Sequence, residues 1–272
     1  MNILASLQIP TSGIARLLGQ NLYSGYSPKK VLIEVGFCPQ FDALWEPITT
    51  EEHMRLYGAI KGVPPDILKE RIDILGDLMQ FSQHFKKKSK ALSGGTKRKL
   101  SFSIAIIGNP SIWLLDEPST GLDPNGKRYL WSVIYSVGLH SAKVLTTTSL
   151  DEAELLCNRM AILVNGRFQC IGSSQHLKQK FGIGYELTVK INDINQENLL
   201  ISFVTQKWRS KLLESFNGMY KFQLHTKNPL SEIFREMKEL TKEISIDTYA
   251  VSQTTLETVF LRFAKRQRLD SS

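Results

Sequence analysis

The sequence predicts an α/β domain with a mostly parallel sheet covered by helices, followed by a small α+β domain. Strand-like and helix-like segments alternate through the first part of the chain, which is typical of a parallel sheet. This alternation ends after about Gly184, where the order of strands and helices changes. We therefore expect two domains, at residues 1–185 and 186–272.

The first predicted domain combines short apolar runs, expected as buried strands, with longer stretches that place apolar residues on one helical stripe. A threonine, Thr49 or Thr50, precedes acidic residues and favours a helix start there. The predicted strands are Val35–Cys38, Ile112–Leu115, Lys143–Thr147 and Met160–Val164, the last ending in the turn Asn165-Gly166; the predicted helices are Glu51–Ile60, Pro65–Phe81, Thr96–Ile107, Asn125–Val137 and Leu150–Leu156.

The second predicted domain has three strands and two amphipathic helices. Ile233, Phe234, Met237 and Leu240 recur at helical spacing, which indicates one buried helix face. The predicted strands are Glu186–Ile191, Lys221–His225 and Asp247–Val251, and the predicted helices are Leu230–Glu243 and Thr255–Lys265.

The composition is that of a globular protein able to bury a core, with 272 residues, 42% hydrophobic and 22% charged. A net charge of +8 is compatible with phosphate ligands, nucleic acid or an anionic membrane, and equally with a plain basic surface. Cys38, Cys157 and Cys170 are widely spaced and odd in number, which excludes a disulfide framework and favours a reducing compartment. No apolar run reaches the roughly 18 residues that span a bilayer, and no signal peptide is recognisable.

Two acidic residues, Asp116 and Glu117, directly follow the predicted strand Ile112–Leu115. Ligands of open α/β sheets bind at the carboxyl ends of the strands, where these carboxylates would lie. Adjacent residues of a strand point to opposite faces, so Asp116 could hold Mg²⁺ through water while Glu117 polarises an attacking water. Taken alone, the pattern also fits a strand that simply enters a polar loop.

The segment Leu92-Ser93-Gly94-Gly95 precedes a predicted helix. Glycines at a helix start let backbone N–H groups approach an anion closely, and the helix N-terminus favours negative charge. An ordinary helix start is the alternative, although it does not need a second glycine. The basic run Lys97-Arg98-Lys99 that follows is expected to be a solvated face.

Taken together, these segments resemble the ATP-binding cassette of ABC transporters. Leu92–Thr96 resembles the signature motif, Ile112–Glu117 the Walker B motif, Ser119–Asp123 the D-loop, and Gln40 the glutamine of the Q-loop. The resemblance is to subfamily A, the lipid exporters, whose chains carry two cassettes, and the end of this chain suggests the second. It is carried by Gly36–Leu44, Gly94–Leu100 and Asn165–Ser173, and by Val251–Phe260, which resembles the end of the small regulatory domain.

The resemblance implies a P-loop NTPase-like fold, with ATP and Mg²⁺ as cofactors. It implies that Asp116 is the Mg²⁺ acid, Glu117 the general base, and Gln40 a nucleotide and Mg²⁺ sensor. Ser93, Gly94, Gly95 and Asp123 would face the ATP held by the other cassette. The implied partners are transmembrane domains, that other cassette and a lipid substrate, with no nucleic acid, at the cytoplasmic face of a membrane.

The sequence departs from the family pattern in two places. It contains no G-x-x-x-x-G-K-[ST] phosphate loop, so we expect Met1–Leu7 to be the tail of the helix that follows this loop in the family. Thr148 stands where the switch histidine is expected. These residues alone are therefore expected to bind and hydrolyse ATP poorly. The five histidines are expected in structural or surface roles: His53, His84, His140, His176 and His225.

Two alternatives remain open at this stage. One is a non-enzymatic module that docks on an intact cassette, which the missing phosphate loop favours. The other is a soluble ATPase of the same superfamily that acts on nucleic acid or ribosomes, which the basic charge allows.

Overall fold

The computed structural model describes residues 1–23, 29–182, 184–226 and 228–269. The chain divides into two compact units, Met1–Cys157 and Asn158–Ser272. This division lies earlier in the chain than the predicted domain boundary between residues 185 and 186. The reason is that residues 160–181 share a small core with the helix at the end of the chain. The boundary at 185/186 stays a prediction.

The first unit contains a three-stranded parallel sheet with the acid-bearing strand at its centre. The elements are β1 (Arg16–Leu17), β2 (Gln20–Asn21), α1 (Lys29–Ile33), β3 (Val35–Cys38), α2 (Thr50–Ile60), α3 (Pro65–Leu78), α4 (Gly94–Ile106), β4 (Ile112–Asp116), α5 (Pro124–Ser136), β5 (Ala142–Thr146) and α6 (Leu150–Leu156). The order is β3-β4-β5, and both pairings are parallel. The predicted parallel sheet, with Ile112–Leu115 central, is therefore confirmed.

Strand β4 is central because it is apolar on both faces. Its first four residues are all buried, as expected for a strand of a parallel sheet with both faces covered. The Trp113 ring packs edge-to-face on Phe102 of α4, with ring centroids 6.1 Å apart. Its indole N–H donates to the carbonyl of Pro110 at 3.1 Å. Burial of each large side chain contributes about 1.5–3 kcal/mol, so this strand anchors the sheet.

Local sequence fixes where the helices begin. At the start of α2, Thr49 and Glu52 form a capping box, which identifies Thr49 as the cap. Ser93 caps α4, Asp123 caps α5 and Ser149 caps α6, each through a hydrogen bond to the backbone N–H three residues later. Two of these caps, Ser93 and Asp123, are also predicted site residues, so the fold itself holds them in place.

The N-terminal segment differs from the expectation. Met1–Leu7 forms turns rather than the end of a helix, with the N–H of Leu7 donating to the carbonyl of Asn2 at 2.9 Å. Strands β1 and β2 then form a short hairpin that the sequence reading missed. Its turn uses Leu18 and Gly19 at positive φ (50° and 77°), the backbone of a two-residue hairpin loop.

The second unit contains a four-stranded antiparallel sheet of order β11-β8-β10-β9, built from a β-α-β-β-α-β chain order. Its inner face packs under the two intervening helices, with Leu187, Val189 and Phe222 fully buried against them. The elements are β6 (Met160–Val164), β7 (Arg167–Gly172), α7 (Ser174–Phe181), β8 (Tyr185–Ile191), α8 (Glu197–Trp208), β9 (Lys211–Phe216), β10 (Met219–Leu224), α9 (Leu230–Glu243), β11 (Ile246–Gln253) and α10 (Leu256–Leu269).

The hairpin β6–β7 makes a separate small core with α7 and α10. Val164, Cys170 and Leu177 pack with Val259 and Phe263 in this core. Across the described ranges, no helix is both long and apolar enough to cross a membrane.

Candidate functional site

The predicted site residues of the first sheet meet at one edge. The parallel registers pair Cys38 with Leu115 and Asp116 with Thr146, so β3, β4 and β5 end side by side. Gln40 follows β3 by two residues, and Thr148 follows β5 by two residues. The parallel sheet therefore brings the Q-loop, the acid pair and the switch position to a common edge, as the sequence predicts.

The two acids differ from the expectation in their backbone. Strand β4 ends at Asp116, and Glu117 takes a left-handed conformation with φ of 46°. The prediction that both acids alternate along one strand is therefore wrong. Asp116 Oδ1 accepts from the Thr146 hydroxyl, while Glu117 Oε2 accepts from Thr120 Oγ1 at 2.9 Å. A non-glycine residue at positive φ is held there by its surroundings, here by an N–H that donates to Thr146 O at 3.0 Å.

Arg98 is a buried, heavily hydrogen-bonded side chain at this edge, and the sequence does not predict its role. The predicted solvated face is wrong at Arg98, which is only 3% exposed. Its guanidinium makes six hydrogen bonds of 2.6–3.3 Å, to the carbonyl oxygens of Pro39, Gln40, Asp116, Glu117 and Pro118 and to Asp42 Oδ1. One side chain therefore ties the Q-loop to the acid end of β4 and to the signature helix.

Only arginine among the natural side chains could make this set of contacts. Its planar guanidinium presents five N–H donors in a fixed fork. A lysine presents three N–H donors on a single nitrogen and could not contact the Q-loop and the end of β4 at the same time. The charge is balanced by Asp42 at 3.0 Å. A buried guanidinium surrounded by carbonyl oxygens also explains how Glu117 and Pro118 keep a turn that leaves the strand abruptly. The pattern Lys-Arg-Lys carries no mark of this role, because neighbouring residues of a helix face different directions.

The signature segment is the open part of the site. Ser93 Oγ accepts from the N–H of Thr96 at 3.2 Å and caps α4. Gly94 is exposed, and a Cβ added to it would meet nothing within 4 Å, so the space beside its Cα is open. As the first residue of α4, it carries one of the N–H groups for which the helix itself supplies no partner. A Cβ on Gly95 would lie 3.7 Å from the carbonyl oxygen of Gly121. The D-loop turn therefore packs beside the second glycine, while the first remains accessible.

Asp123 lies at the end of that turn and caps α5. Its Oδ1 accepts from the N–H of Gly126 at 3.1 Å, and the residue is otherwise exposed. The structure thus brings the signature and the D-loop together. The ligand roles of Ser93, Gly94, Gly95 and Asp123 stay predictions.

A buried glutamate supports the loop that carries the switch position. Glu152 is fully buried and accepts from Trp131 Nε1 at 2.8 Å and from the Thr147 hydroxyl. The N–H of Ser149 donates to Thr147 Oγ1 at 3.0 Å. Both neighbours of Thr148 are therefore held, while Thr148 itself is exposed. Sequence reasoning missed Glu152, whose position in the first turn of a helix suggested only a favourable interaction with the helix dipole.

The residues fit a Mg²⁺ nucleotide only in part. Asp116 supplies a carboxylate and Gln40 an exposed amide, which suits an ion that keeps several waters. Across the described residues, no group of three or more His, Cys, Asp or Glu is placed to hold a metal directly. Nothing in the sequence replaces the phosphate loop. Burial raises the pKa of the nearby Cys38 thiol to about 11.

Comparisons with known proteins agree with this geometry. The family model described as ABC transporter matches residues 1–120. The chain is 38% identical over 256 residues to ATP-binding cassette sub-family A member 2 of Rattus norvegicus. It is 40% identical over 241 residues to the ABC-type organic anion transporter ABCA8B, and 38% over 267 residues to the Cholesterol transporter ABCA5, both of Mus musculus. These alignments cover 92%, 87% and 95% of this chain but only 10%, 15% and 16% of the relatives.

Solved structures give the same family. One, described as the ATP binding subunit of an ABC transporter, is 26% identical with a TM-score of 0.61, over 66% of this chain and 75% of that chain. A dimeric, post-hydrolysis ATP-binding cassette with ADP and Pi bound shares the fold, at 20% identity and a TM-score of 0.58 over 63% of this chain and 78% of that one. With the acid pair, the glycine-rich helix start and the sheet that carries them, these matches show that the chain belongs to the ABC transporter family, as an ATP-binding cassette of the subfamily A type.

Proposed function

We propose that this cassette serves a subfamily A transporter that couples ATP binding and hydrolysis to lipid movement across a membrane, and that these 272 residues supply the signature half of a composite ATP site. The observation that carries the proposal is the start of α4, where Ser93 is fixed as a cap and Gly94, the exposed first residue of the helix, has open space beside its Cα. A helix N-terminus of this kind stabilises a phosphate oxyanion.

The proposed partners are transmembrane domains and a second cassette, with this chain on the cytoplasmic side. Among the relatives, ABCA5 is named a cholesterol transporter and ABCA8B an organic anion transporter. Lipid is proposed as the cargo from the resemblance to subfamily A.

In the complete transporter, Asp116 and Gln40 would hold Mg²⁺, and Glu117 would orient the attacking water. The metal would neutralise charge on the phosphates. The chain's own contribution is to hold the acids: Thr146 fixes Asp116, and Thr120 fixes Glu117. Arg98 keeps the Q-loop against them, so that a shift of Gln40 would reach the acid pair through one side chain.

We further propose that these residues alone bind ATP weakly. Charge-assisted hydrogen bonds contribute about 1.5–3 kcal/mol each, so lacking three or four of them removes about 5–10 kcal/mol. Each 1.4 kcal/mol is a factor of about ten in affinity. Thr148 has a hydroxyl but no imidazole to place near the γ-phosphate, which lowers the rate further. Calorimetry with Mg-ATP should show no micromolar binding, and Glu117→Gln should leave phosphate release by this chain unchanged.

The experiment that tests the signature role mixes this chain with an intact cassette of the same transporter type. Association measured by sedimentation should increase with ATP, because the nucleotide bridges the two halves. Gly94→Asp should abolish that increase by placing a carboxylate against the phosphate. The matched control is Gln175→Asp, which adds the same charge to the exposed first turn of α7. Association that ignores ATP, or that both variants weaken equally, would contradict the proposal.

The association experiment tests the first alternative, and a separate nucleic-acid binding measurement tests the second. A docking module that works without nucleotide would associate equally with and without ATP. A soluble ATPase that acts on nucleic acid would bind nucleic acid in a salt-sensitive manner in the absence of any cassette. The basic charge of the chain, which includes the lysine-rich segment before α4, is the observation that favours the nucleic-acid alternative.

A further inference from the structure

Helix α3 (Pro65–Leu78) has two apolar stripes, and only one of them faces the core of the first unit. The core-facing stripe consists of Leu68, Ile72 and Leu75. The second stripe consists of Ile67, Ile74 and Leu78, whose exposed fractions are 41%, 49% and 41%. A surface helix normally has a single apolar stripe, which packs on the core. The packing of this unit therefore does not explain the second stripe, which we call the outer stripe.

The members of the outer stripe follow one another as side chains do in a helix–helix interface. Together with Arg71, they recur at intervals of four, three and four residues. This is the spacing by which one helix packs on another, whereas a strand exposes every second residue on one face. From Ile67 to Leu78 the stripe extends over about 16 Å, or three turns. Single apolar residues scattered over a surface do not have this order.

The solvent-facing border of the outer stripe is acidic, although the whole chain carries a net charge of +8. At 3.6 residues per turn, four exposed acids lie within about 60° of the helix circumference beside the stripe. They are Asp66, Glu70, Asp73 and Asp77. No described residue forms a salt bridge with any of the four. Lys69 lies beyond them, on the side away from the stripe, and Asp77 accepts from the Ser82 hydroxyl.

The outer stripe is remote from the proposed nucleotide site. Arg71 Nη1 donates at 3.0 Å to the carbonyl of Ile107, the residue that follows α4. Arg98, which contacts the Q-loop, lies in the second turn of the same helix. The nine residues from Arg98 to Ile107 correspond to about 14 Å along the axis of α4. The nucleotide role of the signature therefore does not account for the stripe.

We propose that the outer stripe and its acidic border are the docking surface for a basic amphipathic helix. The apolar face of such a helix would cover Ile67, Ile74 and Leu78, and the lysines or arginines beside that face would meet the four acids. An anionic membrane does not fit this surface, because the acids would repel it. The α3 of a second copy does not fit either, because it offers an acidic border in place of a basic one.

The test uses the full chain and a synthetic amphipathic helix of about four turns, with leucines on one face and lysines elsewhere. A second peptide has the same leucines and glutamates in place of the lysines. We expect saturable binding of the leucine–lysine peptide in fluorescence anisotropy, weakening as salt rises, and no binding of the leucine–glutamate peptide. The comparison is sharp because non-specific attraction to a chain of charge +8 would favour the glutamate peptide.

Variants locate the binding. Ile74→Lys should weaken it at least about tenfold, because a charge then stands at the centre of the apolar seam. Leu155→Lys is the control, because it places the same charge on an exposed apolar position of α6. Glu70→Gln should weaken binding about twofold to fivefold, the effect of one exposed charge pair. Its control is Glu239→Gln, which removes an exposed glutamate from α9.

Ile67→Lys should repeat the effect of Ile74→Lys at the other end of the stripe, and thermal unfolding shows that each variant is folded. Equal binding of the two peptides, or equal losses in Ile74→Lys and Leu155→Lys, would overturn the proposal. Peptide binding that Glu70→Gln and Glu239→Gln leave equally strong would remove the basic partner. Self-association of the chain in sedimentation that Ile74→Lys abolishes would assign the stripe to a second copy and likewise contradict the proposal.

Discussion

The acid end of β4 and the start of α4 belong to the same unit, but they are completed in different ways. At the acid end, the structure satisfies each group internally: Thr146 holds Asp116, Thr120 holds Glu117, and Arg98 holds the carbonyls. At the start of α4, Ser93 is fixed as a cap, but Gly94 is exposed and has open space beside its Cα. The acid end is therefore held by contacts within the unit, whereas the start of α4 leaves room for the partner's phosphate that we propose it receives.

The largest expected effect concerns the closed half. Arg98→Met keeps side-chain volume but removes six hydrogen bonds and leaves Asp42 without its cation, so unfolding free energy should fall by about 3–5 kcal/mol. Lys97→Met, one residue earlier and partly exposed, should change it by no more than about 0.5 kcal/mol. Urea denaturation measures both. A loss below about 1 kcal/mol in Arg98→Met would show that the closed half is not held by this residue.

A second prediction concerns the loop beside Thr148. Glu152→Leu leaves the Trp131 N–H and the Thr147 hydroxyl without their acceptor, which should cost about 2–4 kcal/mol. Asp151→Leu, at the exposed neighbouring position, should cost no more than about 1 kcal/mol, the usual effect of an acid in a first helical turn. Thermal unfolding of the two variants measures both losses of stability, and equal losses would contradict the role of Glu152 in supporting this loop.

At the start of α4, we expect a substitution to change association with the partner and to have little effect on stability. Gly94→Ala meets no atom within 4 Å and adds a better helix former, so stability should stay within about 1 kcal/mol of the parent and can increase. ATP-dependent association with an intact cassette should nevertheless weaken, because a methyl group now stands where a phosphate would approach. A large loss of stability without a change in association would indicate that this glycine serves the fold instead.

The smallest expected effect is a pH dependence at the start of α2, which lies outside both halves of the site. The N–H and hydroxyl of Thr49 in the capping box hold the pKa of Glu52 below its ordinary value. A lowered carboxyl pKa means that the stabilisation is complete above the ordinary glutamate range and is lost as pH falls through the folded-state value. Glu52→Gln should remove this part of the acid sensitivity of α2, as followed by amide exchange in Thr50–Ile60. An unchanged acid profile would contradict it.

The sequence predicts the regular parts of this molecule well, for physical reasons that can be named. Strand β4 is apolar at four successive positions. Leu150–Leu156 and Leu230–Glu243 match their predicted bounds, because Ser149 caps the first and apolar residues recur at helical spacing in the second. The turn at Asn165 and Gly166 has both residues at positive φ, as its sequence indicates. Local pattern and tertiary packing favour the same structure at these places.

The rest depends on contacts that no local pattern encodes. Helix α8 was missed, and so was β9, although Asn217-Gly218 between β9 and β10 is a strong hairpin signal and both residues have positive φ. Arg98 and Glu152 look like solvated charges in the sequence, because the partners of Arg98 lie 18 to 59 residues away and Trp131 lies 21 residues from Glu152. The left-handed backbone at Glu117 likewise depends on contacts with residues distant in the sequence and not on its own residue type.

The most direct test of the central claim is amide exchange at Gly94 and Gly95 when an intact cassette and ATP are added. We expect fast exchange of these N–H groups in the isolated chain, because the first N–H groups of a helix have no intrahelical partner and Gly94 is exposed. We expect slow exchange only when cassette and ATP are both present, with no matching change in Ile112–Leu115, which is already buried. Exchange at Gly94 that stays fast in the full mixture, or that slows with the cassette alone, would contradict the claim that this helix start receives a nucleotide phosphate from a partner.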